Sequence, residues 1–172
     1  MDKKHVILVG MPGSGKSSLG FILAKLMWRP FIDSDYYIIK KEKKTVAEIF
    51  AEQGEDNFRK LEKQALSEII ASAPAVISTG GGMPCFYDNM DIMNEFAVTV
   101  YLEMTHEKLF EHLKNDKKRP LVKGKTPEEL MDYINTTLEQ RKQYYEKAAI
   151  TVEAHNVTSV QLAMNLYKII NG

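Results

Sequence analysis

Gly10-Met11-Pro12-Gly13-Ser14-Gly15-Lys16-Ser17, preceded by the apolar run His5-Val6-Ile7-Leu8-Val9, is the stretch from which the fold is read. It fits the phosphate-loop pattern and has the surroundings that pattern requires, a buried strand before it and an amphipathic helix after it. The helix is expected over 16–27, with Leu19, Ile22, Leu23 and Leu26 sharing one face. Glycines let the backbone turn so that successive N–H groups face one concavity, to which the helix N-terminus adds partial positive charge. Gly13, Ser14, Gly15, Lys16, Ser17 and Ser18 are therefore candidate nucleotide-binding residues. Lys16 can reach the outer phosphates, and the Ser17 hydroxyl can ligate Mg2+.

Outward from this loop, short apolar runs alternate with longer amphipathic segments, the pattern of a parallel sheet covered by helices. Strands are expected at 5–9, 31–32, 75–78, 97–102 and 150–152. Helices are expected at 58–70, 105–113, 126–147 and 160–170, the third opening on Thr126-Pro127-Glu128-Glu129, a capping signal with Pro in the first turn. Residues 35–57 read as an irregular, substrate-facing insertion in which Val46, Ile49 and Phe50 suggest a short helix. The polar, basic stretch 115–125 reads as an exposed loop. Trp28, Phe96 and Met104 are expected in the core or lining it, and Cys85 as a small packing residue.

With 172 residues the chain suits one domain, and its 23 basic and 23 acidic side chains cancel, so no global field would hold it on nucleic acid or anionic membrane. The single cysteine allows neither an internal disulfide nor a multi-thiolate zinc site and suits a reducing compartment. No apolar run approaches a membrane span, and the expectation is a cytoplasmic monomer.

A phosphate loop needs a carboxylate near its metal, and two strand ends offer one, Asp33 and Glu103. Asp33 is favoured because Asp35 follows two residues on, and in extended backbone both would point into one site. The alternative is that Asp33-Ser34-Asp35 only ends a strand and caps a turn. Arg59 and Arg141 offer planar forks for a carboxylate ligand, although Arg59 beside Glu62 also fits an ordinary helix-surface pair. Gly80-Gly81-Gly82 permits positive φ and close backbone approach.

The ordered set of the phosphate loop, Asp33-Ser34-Asp35, Phe58-Arg59 with Glu62, Gly80-Gly81-Gly82, Arg119-Pro120-Leu121 and Arg141 with Tyr145 resembles the shikimate kinase family over nearly the whole chain. The resemblance implies an α/β, three-layer P-loop kinase fold of nucleoside-monophosphate-kinase type, with a five-stranded parallel sheet flanked by helices. It implies a single kinase domain over 1–172, with a substrate-binding region at about 33–60 and a lid at about 113–125. It assigns Asp35 to the accepting hydroxyl, Arg59, Gly81 and Arg141 to shikimate, and Arg119 to the ATP phosphates. Catalysis would rest on Lys16, Asp35 and Arg119, with Mg2+ held by Ser17 and Asp33, and with ATP and shikimate as substrates. The chain departs from the family at His112, Asn115 and His155-Asn156-Val157, where many members carry arginines toward the nucleotide. Competing readings are another small-molecule kinase, such as a gluconate-type or nucleotide kinase, and a nucleotide-dependent switch. The guanine-recognition Asn-Lys-x-Asp and switch Asp-x-x-Gly motifs are both absent.

Overall fold

Strand β1 (His5–Val9) is buried along its whole length, as expected of a strand flanked on both edges and covered on both faces. In the computed structural model, which describes residues 4–115, 122 and 124–172, it is the central strand of a five-stranded sheet. The other strands are β2 (Phe31–Asp33), β3 (Val76–Ser78), β4 (Ala97–Glu103) and β5 (Ile150–Glu153). Their order is β2-β3-β1-β4-β5, and every pairing is parallel. The helices are α1 (Lys16–Leu26), α2 (Ser34–Glu42), α3 (Val46–Ile70), α4 (Asn89–Phe96), α5 (His106–Leu113), α6 (Pro127–Tyr145) and α7 (Ser159–Asn171).

The period-two alternation of the strands divides the core into two layers. Val6, Leu8, Val76, Val100 and Leu102 pack with Leu19 and Leu23 of α1 and Leu162 and Leu166 of α7. Ile7, Val9, Ile77 and Tyr101 face the other way, into a cluster with residues of α3, α4, α5 and α6. Each fully buried Leu or Ile contributes about 1.5–3 kcal/mol relative to exposure, so both layers are needed to hold the sheet between its helices. Among the described residues no helix is long and apolar enough to cross a membrane.

Several expectations are corrected. Asp33-Ser34-Asp35 is not extended: α2 begins at Ser34, and Asp33 caps it by accepting the backbone N–H groups of Asp35 and Tyr36, each at 3.1 Å. The irregular insertion is α2 followed by the start of α3, which Thr45 and Glu48 open with a capping box. The separate helices expected around 46–50 and at 58–70 are one run broken by Gly54 at φ 78°, ψ 172°. A 3-10 turn at Met83–Cys85 and helix α4 have no counterpart among the expected elements. Trp28 is 96% exposed, because it follows the end of α1 with φ +53° and leaves the core, and Phe96 is 45% exposed where α4 ends. Met104 is buried, as expected. Most of the lid segment, with Arg119, lies outside the described residues.

Candidate active site

The phosphate loop joins the central strand to α1 at the C-terminal edge of the sheet, where open α/β folds place their ligands. Gly13 and Gly15 take positive φ, 84° and 88°, and Gly15 leads into α1 with no side chain capping its first N–H groups. Those donors are left for an anion. The Lys16 ammonium is buried and donates to the carbonyls of Gly10 and Met11, both at 2.8 Å, so it lies along the loop. Ser14 Oγ is buried without a hydrogen-bond partner among the described residues, and Ser18 is exposed one residue into the helix after Ser17.

Asp33 divides its two oxygens. Oδ1 caps α2, and Oδ2 accepts the Ser17 hydroxyl at 2.9 Å. Two hard oxygen donors at about 3 Å from each other match adjacent positions around an octahedral Mg2+, so Ser17 and Asp33 fit the metal. Among the described residues no group of three or more His, Cys, Asp and Glu could hold a metal ion. Glu103, the competing carboxylate, instead lines a recess of about 660 Å³ with His106, Glu107, Glu139, Glu153 and His155.

Beside the phosphate loop, the Gly80-Gly81-Gly82 turn gathers the proposed acceptor residues. None of these glycines has positive φ; a side chain stands where the Cβ of each would be. A Cβ on Gly80 would lie 2.6 Å from Asp35 Oδ1 and 3.2 Å from Glu62 Oε1. On Gly81 it would meet Pro12 Cδ at 2.7 Å and Arg141 Nη1 at 3.1 Å, and on Gly82 it would meet Arg59 Nη1 at 2.5 Å. The turn is pinned from two sides: the Gly80 N–H donates to Ser34 Oγ at 2.9 Å, and the Tyr145 hydroxyl donates to the Gly81 carbonyl at 2.6 Å. Burial raises the Tyr145 pKa well above its ordinary value, so this donor keeps its proton.

Arg59 is not the surface residue its pairing with Glu62 allowed. Its side chain is 8% exposed and that of Glu62 1%, and Nη1 donates to Glu62 Oε2 at 2.7 Å. The guanidinium stands 4.1 Å from the ring centroid of Phe86, with Phe58 and Phe50 farther off at 5.6 and 5.9 Å. Burial works against the cation, but the Glu62 and Glu55 carboxylates more than offset it and hold its pKa above the ordinary guanidinium value. Burial pushes the Glu62 carboxyl up to about 7, against the pull of Arg59, and neighbouring Asp35 adds to the rise. Cys85 fits its packing role, because burial pushes its thiol up to about 11 despite Arg141 and Arg59 nearby.

The structure thus brings together Lys16, Ser17 and Asp33 on the nucleotide side and Asp35, Arg59, Gly81 and Arg141 on the other. Sequence reasoning missed two contacts. Phe86 carried no signal, since it follows a 3-10 turn and its partner Arg59 lies far along the chain on α3. His112, which in sequence is only a departure from the family pattern, hydrogen-bonds through Nδ1 with the Gly13 carbonyl at 2.7 Å and ties the end of α5 to the phosphate loop.

Comparison with known proteins agrees with this geometry. A family model for shikimate kinase matches residues 12–171. A shikimate kinase of Parabacteroides distasonis is 46% identical over 155 residues, 90% of each chain. The crystal structure of shikimate kinase from Bacteroides thetaiotaomicron superposes with a TM-score of 0.93 at 39% identity, covering 98% of this chain and 99% of that one. The shikimate kinase of Acinetobacter baumannii, solved in complex with shikimate, gives 0.90 at 32% identity over 97% and 92%.

Proposed function

The chain belongs to the shikimate kinase family and is an ATP-dependent phosphotransferase, and from that premise we propose how its own residues act. The γ-phosphoryl group of ATP passes to the 3-hydroxyl of shikimate, giving shikimate 3-phosphate and ADP. The observation that carries this reading is the contact between the two half-sites: Gly81, flanked by Arg141 and held by Tyr145, abuts Pro12 of the phosphate loop.

Phosphoryl transfer passes through a loose transition state, so catalysis rests on in-line positioning and charge neutralisation. Gly13 through Ser18 would present the loop and helix N–H groups to the phosphates, and Lys16 would add positive charge. Ser17 and Asp33 would hold Mg2+, which would supply charge neutralisation at the phosphates. Asp35 orients the acceptor hydroxyl, while Arg59 and Arg141 hold the shikimate carboxylate and ring beside Gly81. Arg119 is proposed as the lid cation, in a lid at about 113–125 that follows the α5 residues tied to the phosphate loop. The same reading makes residues 1–172 one kinase domain with its substrate-binding region at 33–60, working as a cytoplasmic monomer.

Shikimate-dependent ADP release tests the assignment, run beside gluconate and nucleoside monophosphates with the same ATP. Turnover with shikimate is expected. Transfer to another acceptor instead, or ATP binding with no acceptor phosphorylated, would overturn the reading.

Glu62 gives the site a pH dependence whose sign follows from its raised pKa. Its stabilising contribution is full below the ordinary carboxylate range and is lost as pH rises through about 7. Ionisation there also places negative charge beside Arg59, which opposes an anionic ligand. The dissociation constant for shikimate should therefore rise roughly three- to tenfold between pH 6 and pH 8. Calorimetric titration of wild type and Glu62→Gln checks this: the variant should lose most of the slope, and a flat wild-type profile would refute the assignment.

A further inference from the structure

Arg59 meets two acidic side chains that differ in burial and in how they are held. Glu62 is buried and receives Nη1 through Oε2. Glu55 is 56% exposed and receives both Nε, at 3.1 Å, and Nη2, at 2.7 Å. The Nε and Nη2 edge is a fork on which a carboxylate docks with two parallel, charge-assisted hydrogen bonds. Glu55 fills it incompletely, because both donors converge on its single oxygen Oε1.

Glu55 is also the residue placed to let go. It follows Gly54, whose φ of 78° and ψ of 172° fall in a region open essentially to glycine alone and break the helix at that point. Arg59 would not follow it out, since Glu62, the close approach of Gly82 and the Phe86 ring hold the guanidinium independently. Exchange of Glu55 for a ligand carboxylate leaves the charge around Arg59 unchanged and replaces a one-oxygen contact by a two-oxygen one. A neutral ligand gains nothing from the exchange.

We infer that Glu55 tunes the affinity of the site for acids: it is a resident carboxylate that occupies the Arg59 fork until an acid able to present both oxygens displaces it, and it thereby narrows the preference for acids over neutral ligands. The inference rests on the proposed assignment of Arg59 to the substrate carboxylate. It makes an unusual forecast, that loss of an ion pair tightens substrate binding. Because one partner is half in water, the competition is modest, and Glu55→Ala should bind shikimate about two- to fivefold more tightly than wild type. Glu55→Gln, which keeps the shape and loses the charge, should fall between them. The preference for shikimate over its methyl ester should widen in Glu55→Ala.

Titration of wild type, both Glu55 variants and Arg59→Ala with shikimate and with the ester decides the matter. If Arg59→Ala weakens shikimate binding but Glu55→Ala leaves it unchanged or weaker, Glu55 only braces the arginine and the inference is overturned. If Arg59→Ala binds shikimate as wild type does, the assignment of Arg59 itself fails.

Discussion

Asp35→Asn should lower turnover with shikimate by about 100- to 10,000-fold, the range associated with a positioned acid-base group, while ATP binding stays near wild type. The reasoning starts from where the carboxylate is held. Asp35 lies in the first turn of α2, its Oδ1 sits against Gly80, and it lies close enough to Glu62 to raise that carboxyl's pKa. Asparagine keeps the volume, and Asp33 rather than Asp35 caps the helix, so α2 should form in the variant. On the proposed role, what would be lost is the negative charge that accepts the acceptor hydroxyl's hydrogen bond and stabilises the proton leaving it. Such an interaction strengthens toward the transition state, so kcat should fall more than the Michaelis constant for shikimate rises. Steady-state kinetics with shikimate, beside nucleotide titration of the same preparation, measures both. Near wild-type turnover would remove Asp35 from the acceptor site.

How much of this was legible in the sequence depends on the range of the interaction. The strand, loop and helix from His5 to Leu26 are local: glycines at the turn, an apolar strand before it and a periodic helix after it carry their own instructions. Asp33 was read as the carboxylate near the metal; in the structure one of its oxygens accepts the Ser17 hydroxyl and the other starts a helix, which turned an expected extended pair into a cap. Its two candidate roles, metal carboxylate and cap, are compatible because a carboxylate has two oxygens to spend. Gly80-Gly81-Gly82 was legible as special, but for half of the right reason. Its backbone is ordinary, and the space beyond each Cα is filled by Asp35, Pro12 and Arg59, none of which is a neighbour in sequence. The burial of Arg59 was hidden for the same reason, because helix spacing shows Glu62 one turn away but not the Phe86 ring brought by another segment. Trp28 shows the reverse error, an aromatic assigned to the core by composition and sent to solvent by one positive φ.

Arg59→Ala should raise the dissociation constant for shikimate by about 30- to 1,000-fold, the cost of truncating one partner of a buried, hydrogen-bonded charge pair. The fold should survive it. Glu62 would be left buried without its cation, and since burial already pushes its carboxyl up to about 7, losing Arg59 moves it higher and the group takes a proton at neutral pH. No uncompensated charge then remains in the core. The nucleotide side should be unaffected, because Lys16, Ser17 and Asp33 make their contacts without Arg59. Arg59→Lys should restore little: an ammonium keeps the charge but cannot offer two parallel donors to a carboxylate or lie flat against Phe86. Equilibrium titration with shikimate and with ATP, and turnover at saturating shikimate, separate the possibilities. A large loss of turnover with unchanged shikimate affinity would move Arg59 from holding the substrate to stabilising the transferring phosphoryl group, the role proposed for Arg119.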